Sequence, residues 1–243
     1  MARRPTGRSA GGNGEPQLPA PTKSNREKIV EAFLALLAEQ PFEKIGFAEI
    51  AARSGLSLAD CRGEFVSTIG VLAAHVKDID RKVLAGGPGD MAEEPPRERL
   101  FDVLMRRLET LAPQRPAIRS LLRSAARNPG LALALNGLAV RSQQWMLTAA
   151  DIDASGPRGL IRAQGLALLY ARVLRVWLHD DDPGLARTLA ALDRELARGA
   201  RYGAFLDDVC GIASVLARLV PSRRRRRRDP EPPPPSGEEP IAV

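Results

Sequence analysis

In FAEIAARSGLSLADCRGEF, residues 47 to 65, small and turn-forming residues fall at the intervals that a helix-turn-helix demands. The first helix needs small side chains where the second crosses it, which Ala51 and Ala52 supply. The turn needs a residue that tolerates left-handed geometry, here Gly55, and the second helix needs an N-cap, here Ser57. Such a unit meets nucleic acid at the start of its second helix and at the start of the helix that follows. The candidate DNA contacts are therefore Ser57, Leu58, Ala59 and Arg62, with Ser67 and Thr68 at the next helix start. Ile50, Leu56 and Phe65 are expected to close a small core against Ile29, Phe33 and Leu37. Phosphate contacts supply much of the affinity for DNA, and base edges need hydrogen-bonding side chains. From 46 to 69, however, Arg53 and Arg62 face Glu49, Asp60 and Glu64, a net charge of −1.

A second kind of chemistry is the binding of an apolar small molecule or lipid between helices, with a few polar handles. Leu104, Leu108, Leu122, Trp145, Leu169, Tyr170 and Trp177 are the apolar candidates, with Gln144 and Gln164 as polar contacts. Ordinary core packing uses the same residue types at the same spacing. Trp145 and Trp177 are the pair most worth testing. No GxSxG, phosphate-cradling glycine loop or HExxH occurs, so an enzyme is not expected. Cys61 and Cys210 lie far apart, and His75 and His179 cannot by themselves hold a metal; no cofactor or metal is expected. Asp180 to Asp182 reads as a cap and solvated turn, with Asp182 capping a helix that has Pro183 at its first position.

The elements that must carry these residues are helical. Aromatics make up only 4% of the 243 residues, and the apolar content is mainly Ala and Leu, which predicts an all-α fold. Apolar spacing predicts helices over about 26–39, 47–53, 57–63, 67–84, 97–111, 116–127, 130–149, 158–178 and 200–220. The organisation expected is a disordered tail (1–24), a helix-turn-helix domain (25–85), a linker (86–96), a helical ligand-binding and dimerisation domain (97–220) and a disordered Arg/Pro-rich tail (221–243). The net charge of +7 belongs mostly to the tails: residues 1 to 28 carry +4, residues 221 to 243 carry +2, and the remainder +1. No stretch approaches the roughly 20 apolar residues of a membrane span, and a soluble cytoplasmic protein is expected.

Residues 25 to 80 resemble the TetR family of transcriptional regulators. The resemblance rests on Arg26 and Ile29, on Ile50-Ala51, on Ser54-Gly55-Leu56-Ser57, and on Phe65, Ser67 and Val71. It implies a TetR-like fold and a homodimer that binds operator DNA and responds to a ligand. Gly165, Ala167 and Ala171 would then allow close helix approach at the two-fold. The departures fall at the expected DNA surface: Leu58 stands where Lys is common, Arg62 where Tyr is usual, and Thr68 where Lys is usual. The second half is also similar to the TetR-fold lipid-binding accessory proteins of ubiquinone biosynthesis, through residues 105–122, Trp145 and residues 165–196. That likeness implies an apolar lipid tunnel. It also implies peripheral membrane contact through residues 200–228, where an apolar stripe runs into six arginines.

Overall fold

The computed structural model of the protein describes residues 23–87 and 89–199. The expected helix over 200–220, the Arg/Pro-rich tail and most of the N-terminal tail lie outside those residues. Among the described residues the regular structure is helical, with no strand.

Local signals in the sequence start and stop these helices. The Ser24 hydroxyl accepts from the Glu27 N–H, and the Glu27 carboxylate accepts from the Ser24 N–H at 2.8 Å, a capping box that opens α1 (Asn25–Glu39). α2 (Phe47–Ser54) ends at Gly55, whose φ of +69° gives the left-handed turn into α3 (Leu58–Glu64). The Ser67 hydroxyl accepts from the Gly70 N–H and opens α4 (Thr68–Ala85). α5 (Pro96–Leu111) starts on proline, whose missing N–H costs nothing in a first turn. α6 (Arg115–Ala125) follows, and Asn128 caps α7 (Pro129–Ala149) by accepting from the Leu131 N–H at 3.0 Å.

α8 (Gly156–Trp177) passes so close to the preceding loop that a methyl on Gly159 would stand 2.0 Å from the Ala154 carbonyl carbon. A ninth helix, α9, runs over residues 186–199. Its start differs from the sequence expectation. Asp182 does accept from the Ala186 N–H, but Pro183 lies in a turn ahead of the helix. Asp180 is buried rather than solvated, and its carboxylate accepts from both the N–H and the hydroxyl of Thr188.

Two apolar cores result. One gathers Ile29, Phe33, Leu37, Ile50, Cys61 and Phe65 with the first half of α4, and takes in Ala117, Leu121 and Leu131 from α6 and α7. The other joins the second half of α4 to α5, α7, α8 and α9 around Leu104, Leu108, Met146, Val173, Trp177 and Leu192. α4 belongs to both: Val71 and Leu72 are buried in the first, Ile79 and Val83 in the second.

Candidate DNA-reading head and ligand cavity

The capping of α3 decides what its first turn can offer to DNA. The Ser57 hydroxyl accepts from the Asp60 N–H at 3.0 Å, and Asp60 Oδ2 accepts from the Ser57 N–H and hydroxyl at 3.1 and 2.6 Å. These bonds hold the Asp60 carboxyl below its ordinary pKa. Glu49 does the same work for α2, accepting from the Gly46 N–H at 2.9 Å. Two of the three acidic residues in this stretch therefore serve helix starts, where a negative charge is favourable.

The cations divide in the same way. Arg53 makes a two-pronged ion pair with Glu39 of α1, at 2.9 and 2.6 Å. Arg62 is exposed and forms no ion pair among the described residues. Arg26 is held over the Phe65 ring, 4.7 Å from its centroid. On α3, Leu58, Ala59 and Arg62 are exposed while Cys61 turns inward, where burial pushes its thiol pKa up. Leu58 is 57% exposed and Val66 81%, so the head presents apolar as well as charged side chains. Ser67 caps α4 and Thr68, beside it, is half-buried.

Between the two cores lies a cavity of about 430 Å³, lined by α1, α4, α5, α6, α7 and α8. That volume falls within the range of small-molecule sites. Leu34 and Leu37 of α1, Leu121 of α6, Leu111 of α5 and Leu174 of α8 are among its apolar lining residues. Six polar side chains also line it. His75, Arg107, Gln143 and Tyr170 are buried, Asn136 is engaged by Gln164, and Arg175 is exposed.

The nine expected pocket residues separate. Leu122 and Tyr170 line this cavity. Leu104, Leu108, Leu169 and Trp177 are buried in the second core and do not border it. Gln164 pairs through its amide with Asn136 at 2.9 and 3.0 Å, tying α8 to α7. Trp145 is 56% exposed and lines a surface groove with Lys77, Arg81 and Arg141, and Gln144 flanks a hollow beside residues 151–155. Trp145 and Gln144 thus line other depressions than this cavity. α7 is turned so that Gln143, one residue earlier, faces inward, and one residue is 100° of helix rotation.

Sequence reasoning also missed His75 and Arg107, isolated polar residues on otherwise apolar helix faces. Arg107 forms a buried ion pair with Asp80, and the Ser142 hydroxyl donates to the same Asp80 oxygen at 2.8 Å. The Arg107 guanidinium lies 5.8 Å from the centroid of the Tyr170 ring. Burial pushes the His75 imidazole down to about 4 and the Tyr170 hydroxyl up to about 12, so both are uncharged at neutral pH. Among the described residues, no group of three His, Cys, Asp or Glu side chains is placed to hold a metal ion. No helix among them is long and apolar enough to cross a membrane.

The chain matches no family model and no curated protein. It is similar to solved structures of TetR transcriptional regulators. One from Nitrosomonas europaea, 23% identical, superimposes with a TM-score of 0.57 over 73% of this chain and 99% of that one. Another, from a Rhodococcus species, is 21% identical with a TM-score of 0.51 over 72% of this chain and 95% of that one. Both are described as regulators, and neither as a lipid-binding accessory protein. The protein thus has the TetR fold, an all-α arrangement with a helix-turn-helix near its N-terminus.

Proposed function

We propose that the protein is a TetR-like, DNA-binding transcriptional regulator that acts as a homodimer in the cytoplasm and responds to a small, largely apolar ligand. In this reading it binds rather than catalyses. Leu58, Ala59 and Arg62 of α3 enter the major groove, while Ser57, Ser67 and Thr68 sit at helix starts next to the phosphates.

One observation carries the reading: the cavity is walled by α1 and α4, the same helices that pack the head. α4 runs unbroken from the reading head into the second core. A molecule that fills the cavity presses on Leu37, Leu72 and His75, and so changes the position of the head relative to the rest of α4. In a dimer, that changes the spacing of two heads, which must match half-sites one helical turn apart. The coupling exists only insofar as the ligand prefers one spacing.

The test is a titration of the purified protein on DNA from upstream of its own gene, with and without an apolar extract of the source cells. The reading expects sequence-selective binding that the extract weakens or strengthens by about fivefold or more. Equal affinity for scrambled DNA, unchanged by the extract, contradicts it.

A further inference from the structure

The four buried polar side chains of the cavity share one property: each carries an atom without a hydrogen-bond partner among the described residues. These are His75 Nε2, Arg107 Nε, Gln143 Oε1 and the Tyr170 hydroxyl. All four side chains are more than nine-tenths buried, Gln143 being 1% exposed. An unsatisfied buried donor or acceptor is costly, and four along one apolar cavity are more than packing explains. Arg107 links them. It stacks on Tyr170, pairs with Asp80 on the helix that carries His75, and through Asp80 meets Ser142, the neighbour of Gln143.

The charges state what the occupant is. The Arg107 guanidinium is already matched by Asp80, and His75 and Tyr170 are neutral, so the buried cluster has no net charge; Arg175, also in the lining, is exposed. An ionised head group placed there would be buried without a counter-ion, a heavy penalty. The hydrogen-bond inventory adds the second constraint. Tyr170 O–H and Arg107 Nε–H donate, and Gln143 Oε1 accepts. A matching head therefore offers a carbonyl-type acceptor and an N–H or O–H donor side by side. The apolar lining, with Leu34, Leu121 and Leu174, asks for hydrocarbon.

Resting on the reading of this cavity as the effector site, we infer that the ligand is an uncharged amphiphile of the fatty-amide type. Its amide carbonyl lies against Tyr170 and Arg107, its N–H against Gln143, and its hydrocarbon body against the α1 and α6 wall. A carboxylate or alkylammonium head seated among these four buried groups has no counter-ion there.

The experiment is calorimetric titration of the full-length protein with decanamide, decanoate, decylammonium and decanol, repeated on Gln143→Leu and Tyr170→Phe. Decanamide is expected to bind at least about tenfold tighter than the two ions, and each substitution to weaken it about tenfold while leaving decanol less affected. Equal or tighter binding of either ion overturns the inference, as does binding that neither substitution changes. Absence of all binding, with ordered waters on these four atoms in a crystal, overturns it too. Upstream-DNA binding measured alongside separates the two claims. Operator release by a cell extract, with no decanamide binding, leaves the regulator standing and the amide class wrong. Decanamide binding that obeys both substitutions, with no effect on DNA, supports the amide site and contradicts the regulator.

Discussion

Arg53 is held by Glu39 through two hydrogen bonds of 2.9 and 2.6 Å, so the cation at the end of α2 is tied to α1 rather than presented outward. Together with the capping roles of Glu49 and Asp60, this resolves the charge of the head. A net of −1 over 46–69 looks unfavourable for DNA, yet most of those charges are engaged within the protein. α3 turns outward Arg62 and Glu64 besides the capping Asp60, with Leu58 and Ala59 as apolar neighbours suited to a thymine methyl.

Ser57 holds the first turn of α3, so Ser57→Ala is expected to cost about 1 kcal/mol by loss of the cap. Gly55→Ala adds a similar cost, because φ of +69° is unfavourable for any residue with a Cβ. Thermal denaturation of each variant checks both. A melting temperature unchanged in Ser57→Ala contradicts the capping role.

Asp80 sits at the centre of a buried network with Arg107 and Ser142. Removing its charge strands the Arg107 guanidinium, and Asp80→Ala is expected to destabilise the fold by about 3 to 5 kcal/mol. Replacing both partners by apolar residues, Asp80→Leu with Arg107→Met, is expected to recover most of that loss. Urea denaturation of the single and double variants measures it.

His75 makes stability depend on pH. Its folded pKa, pushed down to about 4 chiefly by burial, lies below the ordinary value of 6.5. The attraction of Asp78 opposes that shift, while Lys82 and Arg107 add to it. The unfolded chain then binds more protons between those values. The contribution is complete above about pH 6.5 and is lost as pH falls towards 4, approaching about 3 kcal/mol. Denaturation from pH 7 to 4 is expected to show this slope in the native protein and a shallower one in His75→Gln.

The two tryptophans are expected to behave differently. Trp177 is fully buried, with the Arg115 guanidinium 4.4 Å from its ring centroid, and Trp177→Ala is expected to cost about 3 to 5 kcal/mol. Trp145, more than half exposed, is expected to change stability by no more than about 0.5 kcal/mol on the same substitution. Chemical denaturation of the two variants compares them directly.

That contrast shows where the sequence was legible. The helices could be read to within a few residues, because capping serines, Asn128 and Pro129, and Pro96 act locally. The turn at Gly55 and the cap at Ser57 follow from backbone chemistry that needs no partner. The cavity could not be placed in the same way. α7 carries Leu131, Leu133, Leu135, Leu138, Val140, Trp145, Met146 and Leu147 on nearly all sides, so its apolar pattern does not fix which side faces in. Trp145 drew the assignment by its size, and Gln144 followed it instead of Gln143. His75 and Arg107 gave one usable signal, a polar residue with apolar residues three and four positions before it (Val71 and Leu72; Val103 and Leu104) and one four positions after it (Ile79; Leu111). Their convergence on Tyr170 from three helices depends on tertiary packing alone.

The central claim is that this sparsely charged head reads DNA through Arg62. The measurement is fluorescence anisotropy of the full-length protein on upstream and scrambled DNA at two salt concentrations. It is repeated for Arg62→Ala, for Arg53→Ala, and for a variant with Arg223 to Arg228 replaced by serine. The account predicts that discrimination survives loss of the six arginines and of Arg53, and that Arg62→Ala reduces specific affinity by about tenfold or more. Discrimination unaffected by Arg62→Ala, or DNA binding that disappears with the six arginines alone, would contradict it.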